Sequence, residues 1–598
     1  MTSRAIGGLF VFNAFLLVAG AGVLWGVRGW RWWTDFVRLA GVAYLLGLAL
    51  LMIVLTLEIV LGVPVDGATI GLAGLVPVVA GIAVGRRRGH SMPALAPSGW
   101  HFPRLSLFAA LFVAGIVVYL EGLVRSERLS GVVKEWDSWA FWMPKAEWIY
   151  YSGGLDPKLL AGIPSAPYPP GLTSVQAAAF HAMGSADTTT LHVQYWFFAV
   201  GFVGAIAGLL ASRVPQAILF PVLLAVLVAP SLVARMTTTY ADIPLGQLAA
   251  VAALLMALWL LEEKTWQLAA ATLLLAGAML TKREGTLFVV CILVGAFVAS
   301  WRDRSRLWRQ LAVGGAAAFA LALPWRVWFT AQGIPGDGPE SGYLGSFRHI
   351  DRAWPALKLV ITTLFDQGLW PVAPILAVAA IVLAALAGAT RMSVFAAVLL
   401  ASAIVSTSWA IWSNLSLKFT QEDSANPIVR LTGTTVLTLA ALTPVLLHAA
   451  WSGRKRQSGS SPRLPSPGPD ALVARSWGAW AIVLLGVLSH PGAMLVGYSG
   501  SGLPGGLPSL PGQEECVSRP VAERPVRLVV GYADSFPEAE VLRRRAVGAG
   551  LTDVQAASDG CGRVRVFIDH LPIAEAQGLE RAARAAALDP TLELDPNS

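Results

Sequence analysis

The chain has 598 residues, 55% of them hydrophobic and 13% charged, with a mean hydropathy of +0.62. A soluble domain carries roughly 25% charged residues, so this composition excludes an ordinary soluble globular protein and predicts a polytopic helical membrane protein. The net charge of +8 is not a nucleic-acid signal, because the basic residues cluster in short segments between apolar runs, where they report topology.

Apolar runs of near-spanning length fall at 5–27, 36–62, 68–86, 105–124, 190–211, 216–233, 242–261, 266–281, 285–300, 310–330, 369–389, 393–412, 428–450 and 477–497. A crossing takes ~20 residues, so the expectation is an all-α membrane region of about 14 transmembrane helices. The runs 266–281 and 285–300 are marginal in length. The first run, Ala5 to Val27, is too long for a signal-peptide core and is followed by no clear small-residue cleavage site, so it reads as a retained span.

Basic residues set the orientation. Arg28, Arg31 and Arg38 follow span one, and Arg86, Arg87 and Arg88 follow span three. Arg213 follows span five, and Arg302, Arg304, Arg306 and Arg309 follow span nine. Arg391 follows span eleven, and Arg454, Lys455 and Arg456 follow span thirteen. With fourteen spans these six segments share one side, which the positive-inside rule makes the cytoplasm of a plasma (inner) membrane protein. The segments 125–189, 234–241, 281–284, 331–368 and 413–427 are then extracytoplasmic, and they are the long or chemically unusual ones.

The chain divides into extra N-terminal spans (1–104), a central transmembrane module (105–450), a Ser/Pro/Gly-rich cytoplasmic linker (451–476), a last span (477–497), a Gly/Pro-rich tether (498–523) and a polar C-terminal part (524–598). In the last part Val526–Tyr532 and Arg563–Asp569 alternate as strands, Glu538–Gly550 and Ala574–Leu588 are helical, and a weaker strand falls at Thr552–Ala557. The expectation is a small α+β domain, extracytoplasmic on this topology. Cys516 and Cys561 lie in an oxidising compartment on that reading, where they either pair as a disulfide or remain two independent thiols. Cys291, inside an apolar run, is a packing residue.

Four stretches carry the chemistry. Lys134-Glu-Trp-Asp-Ser-Trp-Ala-Phe-Trp-Met-Pro-Lys145 puts two acids and three tryptophans at a membrane edge. Tryptophan favours that boundary, and a carboxylate there can act as a general base on an acceptor hydroxyl. Glu135 and Asp137 point the same way in an extended segment and diverge by ~200° in a helix. Trp136, Trp139, Lys145 and Tyr168 are read as supports of this loop. Tyr168-Pro-Pro-Gly171 sets a rigid turn before Leu172–Met183, an apolar stretch containing His181 and expected as a helix lying on the outer face.

Arg235-Met-Thr-Thr-Thr-Tyr-Ala-Asp242 brings Tyr240 and an acid to the start of a span. Asp242 is either a plain helix cap or, beside another external acid, a contact for the acceptor or for a divalent cation (Mg, Mn or Ca). Thr281-Lys-Arg-Glu-Gly285 wedges three charges between short spans. Lys282 and Arg283 either snorkel to the outer interface or hold a lipid-linked phosphate. Arg348, with His349, Asp351 and Arg352, and Arg430, with Lys418, are further candidates for headgroup or phosphate contacts.

Taken in order, Glu135-Trp-Asp-Ser-Trp with Lys145-Ala, the Tyr168-Pro-Pro turn, Tyr240-Ala-Asp-Ile-Pro244, Leu280-Thr-Lys-Arg-Glu-Gly285 and Pro324-Trp325 with Trp328 resemble the GT-C superfamily over residues 105–450. Within it the likeness is to the protein O-mannosyltransferase and lipid A aminoarabinose transferase branch. The resemblance implies an inverting glycosyltransferase that takes a sugar from a polyprenyl-phosphate carrier on the outer face and gives it to a cell-envelope glycan, lipid or protein. By carry-over Asp137 would be the base, or Glu135 with it. Asp242 would be a second acidic contributor, and Lys282 and Arg283 would face the leaving phosphate. The catalytic loop of the family follows the first span, whereas four precede it here.

The C-terminal part, through Val529-Val-Gly-Tyr-Ala-Asp-Ser and Arg563-Val-Arg-Val-Phe, resembles a SPOR-type domain, which implies contact with peptidoglycan; a generic ferredoxin-like domain fits the same pattern. Two other function classes fit the composition. A lipid-linked-sugar flippase would place charges within spans, for which Glu58 and Arg326 are the candidates, and an envelope scaffold would not need the external charges at all.

Overall fold

The computed structural model describes residues 3–30, 32–91, 93–94, 105–130, 136–334, 350–413, 421–454, 526–533, 535–558 and 564–594. Glu135, Arg348, Cys516 and Cys561 lie outside these residues, as do the expected linker, the span 477–497 and the tether. The chain divides into two compact units, one containing the described residues up to 454 and the other those from 526 onward.

The first unit is helical. Its elements are α1 (Ser3–Arg28), α2 (Trp33–Leu61), α3 (Gly67–Arg87), α4 (Leu107–Ser130), a π-helical turn (Ser138–Trp142), α5 (Met143–Ser152), α6 (Pro157–Leu160), α7 (Gly171–Met183), α8 (Thr188–Leu210), α9 (Gln216–Leu227), α10 (Pro230–Val233) and α11 (Asp242–Glu262). They continue with α12 (Thr265–Thr281), α13 (Gly285–Ala299), α14 (Arg304–Ala331), α15 (Ala353–Leu364), α16 (Ala373–Leu386), α17 (Thr390–Trp412) and α18 (Gln421–Arg454). Eight helices among the described residues are long and apolar enough to cross a membrane. The protein is therefore a mostly helical, multi-pass membrane protein.

The remaining apolar runs among the described residues are also helical but shorter. The helices at 265–281 and 285–299 have 17 and 15 residues. At 1.5 Å per residue they reach about 25 Å or less, under the ~30 Å of hydrocarbon. Among the described residues eight helices thus meet the length and composition of a crossing, and the expected fourteen are not confirmed.

The reason these segments fold together is visible in α11. Every residue from Asp242 to Leu260 is buried, and the sequence is apolar all round, so this helix has no face for lipid and the others pack around it. Small residues let backbones approach elsewhere. A Cβ on Gly20 would lie 1.7 Å from the Ala43 carbonyl oxygen, and one on Gly47 would lie 1.9 Å from that of Leu16, so α1 and α2 pack through glycine. A buried polar knot joins them to α8: Tyr44 donates to Asn13 at 2.6 Å, and Asn13 and Gln194 exchange hydrogen bonds at 2.9 and 2.8 Å.

The two ends of the unit differ in character. At one end Arg38 donates to Ser212 at 2.8 Å, Arg88 to the Val27 carbonyl at 2.9 Å and Arg391 to the Leu260 carbonyl at 2.9 Å. Arg213 and Lys264 both pair with Glu262, and Arg391 pairs with Asp303. Five of the six basic segments that the sequence set apart, around Arg38, Arg88, Arg213, Arg306 and Arg391, therefore meet in space. Asp242 and Glu262, at opposite ends of the 21-residue α11, are about 30 Å apart, so this basic end is the one away from Asp242.

One local expectation, for α7, is corrected, and two open alternatives are decided. Of the two geometries open for the stretch around Asp137 the helical one holds: residues 136–152 are helical, with a π-helical turn at Ser138–Trp142, and Asp137 itself has φ −60° and ψ −32°. The helix α7 does not lie on the outer face, since Leu172 to Phe180 are all buried; Thr173 and Ser174 hold its start by donating to the Pro170 carbonyl at 3.0 and 2.7 Å. Asp242 does not cap α11, whose capping position is Ala241.

The second unit has β1 (Val526–Ala533), α19 (Phe536–Gly548), β2 (Gln555–Ser558), β3 (Val564–Leu571), α20 (Ile573–Ala585) and β4 (Thr591–Leu594). The sheet order is β2-β3-β1-β4 with every neighbouring pair antiparallel, the split βαβ arrangement of a ferredoxin-like domain. Leu528, Val530, Val566 and Ile568 form the core with alanines of the two helices, Ala539, Ala546, Ala576 and Ala583. Arg527 pairs with Asp569 and lies over the Phe567 ring at 4.3 Å. The weak strand expected at Thr552–Ala557 forms at Gln555–Ser558; β4, only four residues long, has no pattern to announce it.

Candidate functional site

The acids and cations singled out in the sequence come from helix ends that alternate in direction. Asp242 starts α11, Lys282 follows α12, Glu284 precedes α13, Arg326 lies near the end of α14, and Arg430 lies in the first part of α18. Antiparallel packing of consecutive helices brings these ends to one side of the unit, opposite the basic end.

Asp242 is the hub and is buried, with 4% of its surface exposed. One carboxylate oxygen accepts from Lys282 Nζ at 2.8 Å. The other accepts from Arg430 Nε at 2.9 Å, with Nη2 at 2.8 Å. The same Nη2 donates to Asp137, so Arg430 bridges two acids that are 105 positions apart in the chain. The guanidinium lies over the Tyr240 ring at 4.4 Å, which gives the buried cation a further partner.

Lys282 is also buried and is 3.4 Å from Glu284. It does not snorkel to the membrane edge. Burial lowers its pKa, but the neighbouring Asp242 and Glu284 carboxylates raise it by more, so the ammonium titrates above the ordinary lysine range.

Tyr168 ties the turn at 165–170 into this network. Its hydroxyl donates to Glu284 at 3.2 Å, its ring stacks on Trp142 at 5.4 Å, and Lys282 and Arg283 lie 5.6 and 5.8 Å from its centroid. Burial, with Glu284 adding to it, pushes the phenol pKa up, so Tyr168 remains a neutral donor. Lys145, fully buried, donates to the carbonyls of Ser165 and Ala166 at 2.9 and 3.3 Å and holds the turn from below. Trp325 Nε1 donates to the Pro167 carbonyl at 3.3 Å and fixes it to α14.

A cavity of about 700 Å³ opens beside this network. Its wall carries the cations Lys282, Arg283, Arg326 and Arg430, and the carboxylates Asp137 and Glu284. Trp136, Phe141, Tyr168, Trp325 and Phe329 make the apolar part. The described wall is thus electropositive and aromatic, suited to an anion attached to an apolar chain.

Not every expected residue faces the cavity. Asp242 and Tyr240 sit behind the wall and orient Lys282 and Arg430. Trp139 is 55% exposed and packs on Trp136 at 6.1 Å without lining the cavity; the buried Phe141 and Trp142 frame Tyr168 instead. His181 sits against Tyr150 at 4.7 Å, and neither it nor Arg352 is on the wall. Cys291 is buried beside Ser406 at 3.3 Å.

Sequence reading missed Glu284 and Arg326 as wall residues. Glu284 was within view, as the third charge of the turn at 281–285. Arg326, whose guanidinium donates to Thr286 at 2.6 Å, follows the Pro324-Trp325 pair directly.

Among the described residues no three His, Cys, Asp or Glu side chains gather, and the oxygens of Asp242 are already occupied by Lys282 and Arg430. Comparison of the chain with protein-family models, curated proteins and solved structures finds no match.

Proposed function

We propose that the protein is a membrane glycosyltransferase that moves a sugar from a polyprenyl-phosphate carrier to a cell-envelope acceptor. The observation that carries this reading is the cavity in which four cations, two carboxylates and an aromatic wall converge at one end of the helical unit. The phosphate of the carrier occupies the cationic wall, with Lys282, Arg283, Arg326 and Arg430 offsetting the charge that grows on it as the glycosidic bond breaks. The apolar lipid chain follows the tryptophan-rich side.

Asp137 is the general base. The acceptor hydroxyl attacks the anomeric carbon from the face opposite the phosphate, its proton passes to the Asp137 carboxylate, and the carrier leaves as polyprenyl phosphate. Asp137 shares Arg430 with Asp242, so a phosphate that draws on the same guanidinium frees the Asp137 carboxylate for the acceptor. The opposite basic end faces the cytoplasm and the cavity faces outward in a plasma membrane.

The test is incubation of the purified full-length chain with labelled polyprenyl-phosphate sugars and envelope acceptors. The wild type is expected to transfer or hydrolyse the sugar, and Asp137→Asn to abolish turnover while expression and thermal stability hold. Undiminished turnover in that variant would falsify the assignment of the base, and vesicle transport without transfer would replace the reading by a flippase.

A further inference from the structure

The reaction just described does not use Glu284, and its geometry is unlike that of the other two acids. Both Asp242 oxygens are saturated by Lys282 and Arg430, and Asp137 is paired with Arg430. Glu284 places one oxygen, Oε1, against the Tyr168 hydroxyl at 3.2 Å and Lys282 at 3.4 Å. Its other oxygen, Oε2, is buried and accepts no hydrogen bond. A buried carboxylate oxygen without a donor is unfavourable, because it loses water and gains nothing in exchange. Glu284 nonetheless sits on the wall of the cavity, next to the cations that suit a phosphate.

We infer that Glu284 recognises the transferred group: its unpartnered oxygen accepts a hydrogen bond from a hydroxyl of the sugar carried on the phosphate. This rests on the transferase reading. The chemistry follows from the neighbours. Lys282 is adjacent in the same turn, so a phosphate at Lys282 and Arg283 brings the attached sugar within one residue of Glu284. Sugar hydroxyls are donors, and an ionised carboxylate is an acceptor only, so the pair is complementary. Tyr168 and Lys282 hold Oε1, and Oε2 is the oxygen left without a donor, reached from the cavity once the carboxylate turns toward it. Glu284 is in this sense a specificity-determining residue, distinct from the base Asp137.

The experiment measures binding to the full-length protein in detergent by tryptophan fluorescence. The probes are farnesyl phosphate and the same lipid phosphate carrying a hexose, a pentose or an aminopentose. In the wild type the best sugar-bearing probe is expected to bind about tenfold or more tightly than bare farnesyl phosphate, the size of one hydrogen bond to a charged group. Glu284→Ala and the isosteric Glu284→Gln are expected to remove that preference, read as the ratio of the two affinities within each variant, so that any change in phosphate binding through Lys282 cancels.

Two results overturn the inference: no sugar preference in the wild type, or a preference retained in both variants, including through an equal loss for both kinds of probe, which would reduce Glu284 to a support for Lys282. The transferase reading fails separately. A sugar preference that depends on Glu284 but is accompanied by no transfer in the wild type would leave this inference standing and remove the reaction.

Discussion

Lys282 and Asp242 lie 40 positions apart, and the Lys282 ammonium donates to the Asp242 carboxylate at 2.8 Å with both side chains about 5% exposed. The two partners are not equivalent. Asp242 also holds Arg430, while Lys282 also has Glu284 nearby at 3.4 Å. Removing Asp242 takes the nearest carboxylate from Lys282 and one of two from Arg430, whereas removing Lys282 leaves Asp242 paired with Arg430. Asp242→Ala is therefore expected to destabilise by about 3–5 kcal/mol, the range for breaking a buried ion pair. Lys282→Ala should cost roughly 1–3 kcal/mol. Thermal unfolding in detergent checks the order, and an equal cost for the two would contradict the shared role of Asp242.

Arg430 spans Asp242 and Asp137 through the planar fork of its guanidinium. An ammonium is a point charge and does not hold both acids in one plane. Arg430→Lys is expected to keep the fold and to lower transfer by about a hundredfold, the size of losing one oriented electrostatic contact. Steady-state kinetics alongside a thermal scan checks this. Wild-type turnover in a folded Arg430→Lys protein would show that positive charge alone is sufficient.

The Lys282 pair also has a pH signature. Its pKa is lowered by burial and raised by more by Asp242 and Glu284, so the folded value lies above the unfolded one. The stabilisation is then fully present below the unfolded lysine pKa of about 10.4 and is lost as pH rises from there through the folded value. The stability difference between wild type and Lys282→Ala is expected to be flat from about pH 6 to 9 and to shrink above about 10.4. Denaturation midpoints measured across that range check it; a difference that grows with pH would reverse the sign.

The two ends of the helical unit give a topological prediction. Gln367 is exposed on the segment whose Leu369 carbonyl accepts from Ser231, while Arg309 is exposed near the basic end. In a protein whose native cysteines are replaced by serine, Gln367→Cys is expected to react with a membrane-impermeant maleimide from outside intact cells, and Arg309→Cys only after permeabilisation. The opposite pattern would invert the protein in the membrane and place the cavity in the cytoplasm.

Much of the site was legible because charge inside an apolar sequence is rare. Asp137, Asp242, Lys282 and Arg430 stand out on that ground alone, and the expense of burying them unpaired predicts that they find one another. Less legible was which of them would face the ligand. Asp242 looked like a site acid and lies behind the wall, and Glu284 looked like a companion of Lys282 and lies on it. Trp139 and Trp142 have the same one-dimensional signature, yet one is solvent-facing and the other stacks on Tyr168. A π-helical turn at Ser138–Trp142 shifts the side-chain register there, and no residue pattern in the sequence announces it.

What the sequence by itself determined is the membrane character, the helical runs, the basic segments and the strand–helix alternation from Val526 onward. These follow from composition and periodicity, which are local properties read directly from neighbouring residues. Only the tertiary structure decided that α7 is buried, that Arg430 joins Asp137 to Asp242, and which side chains line the cavity. Those depend on where helices of different lengths end relative to one another, and that is set by packing between segments up to 293 positions apart in the chain.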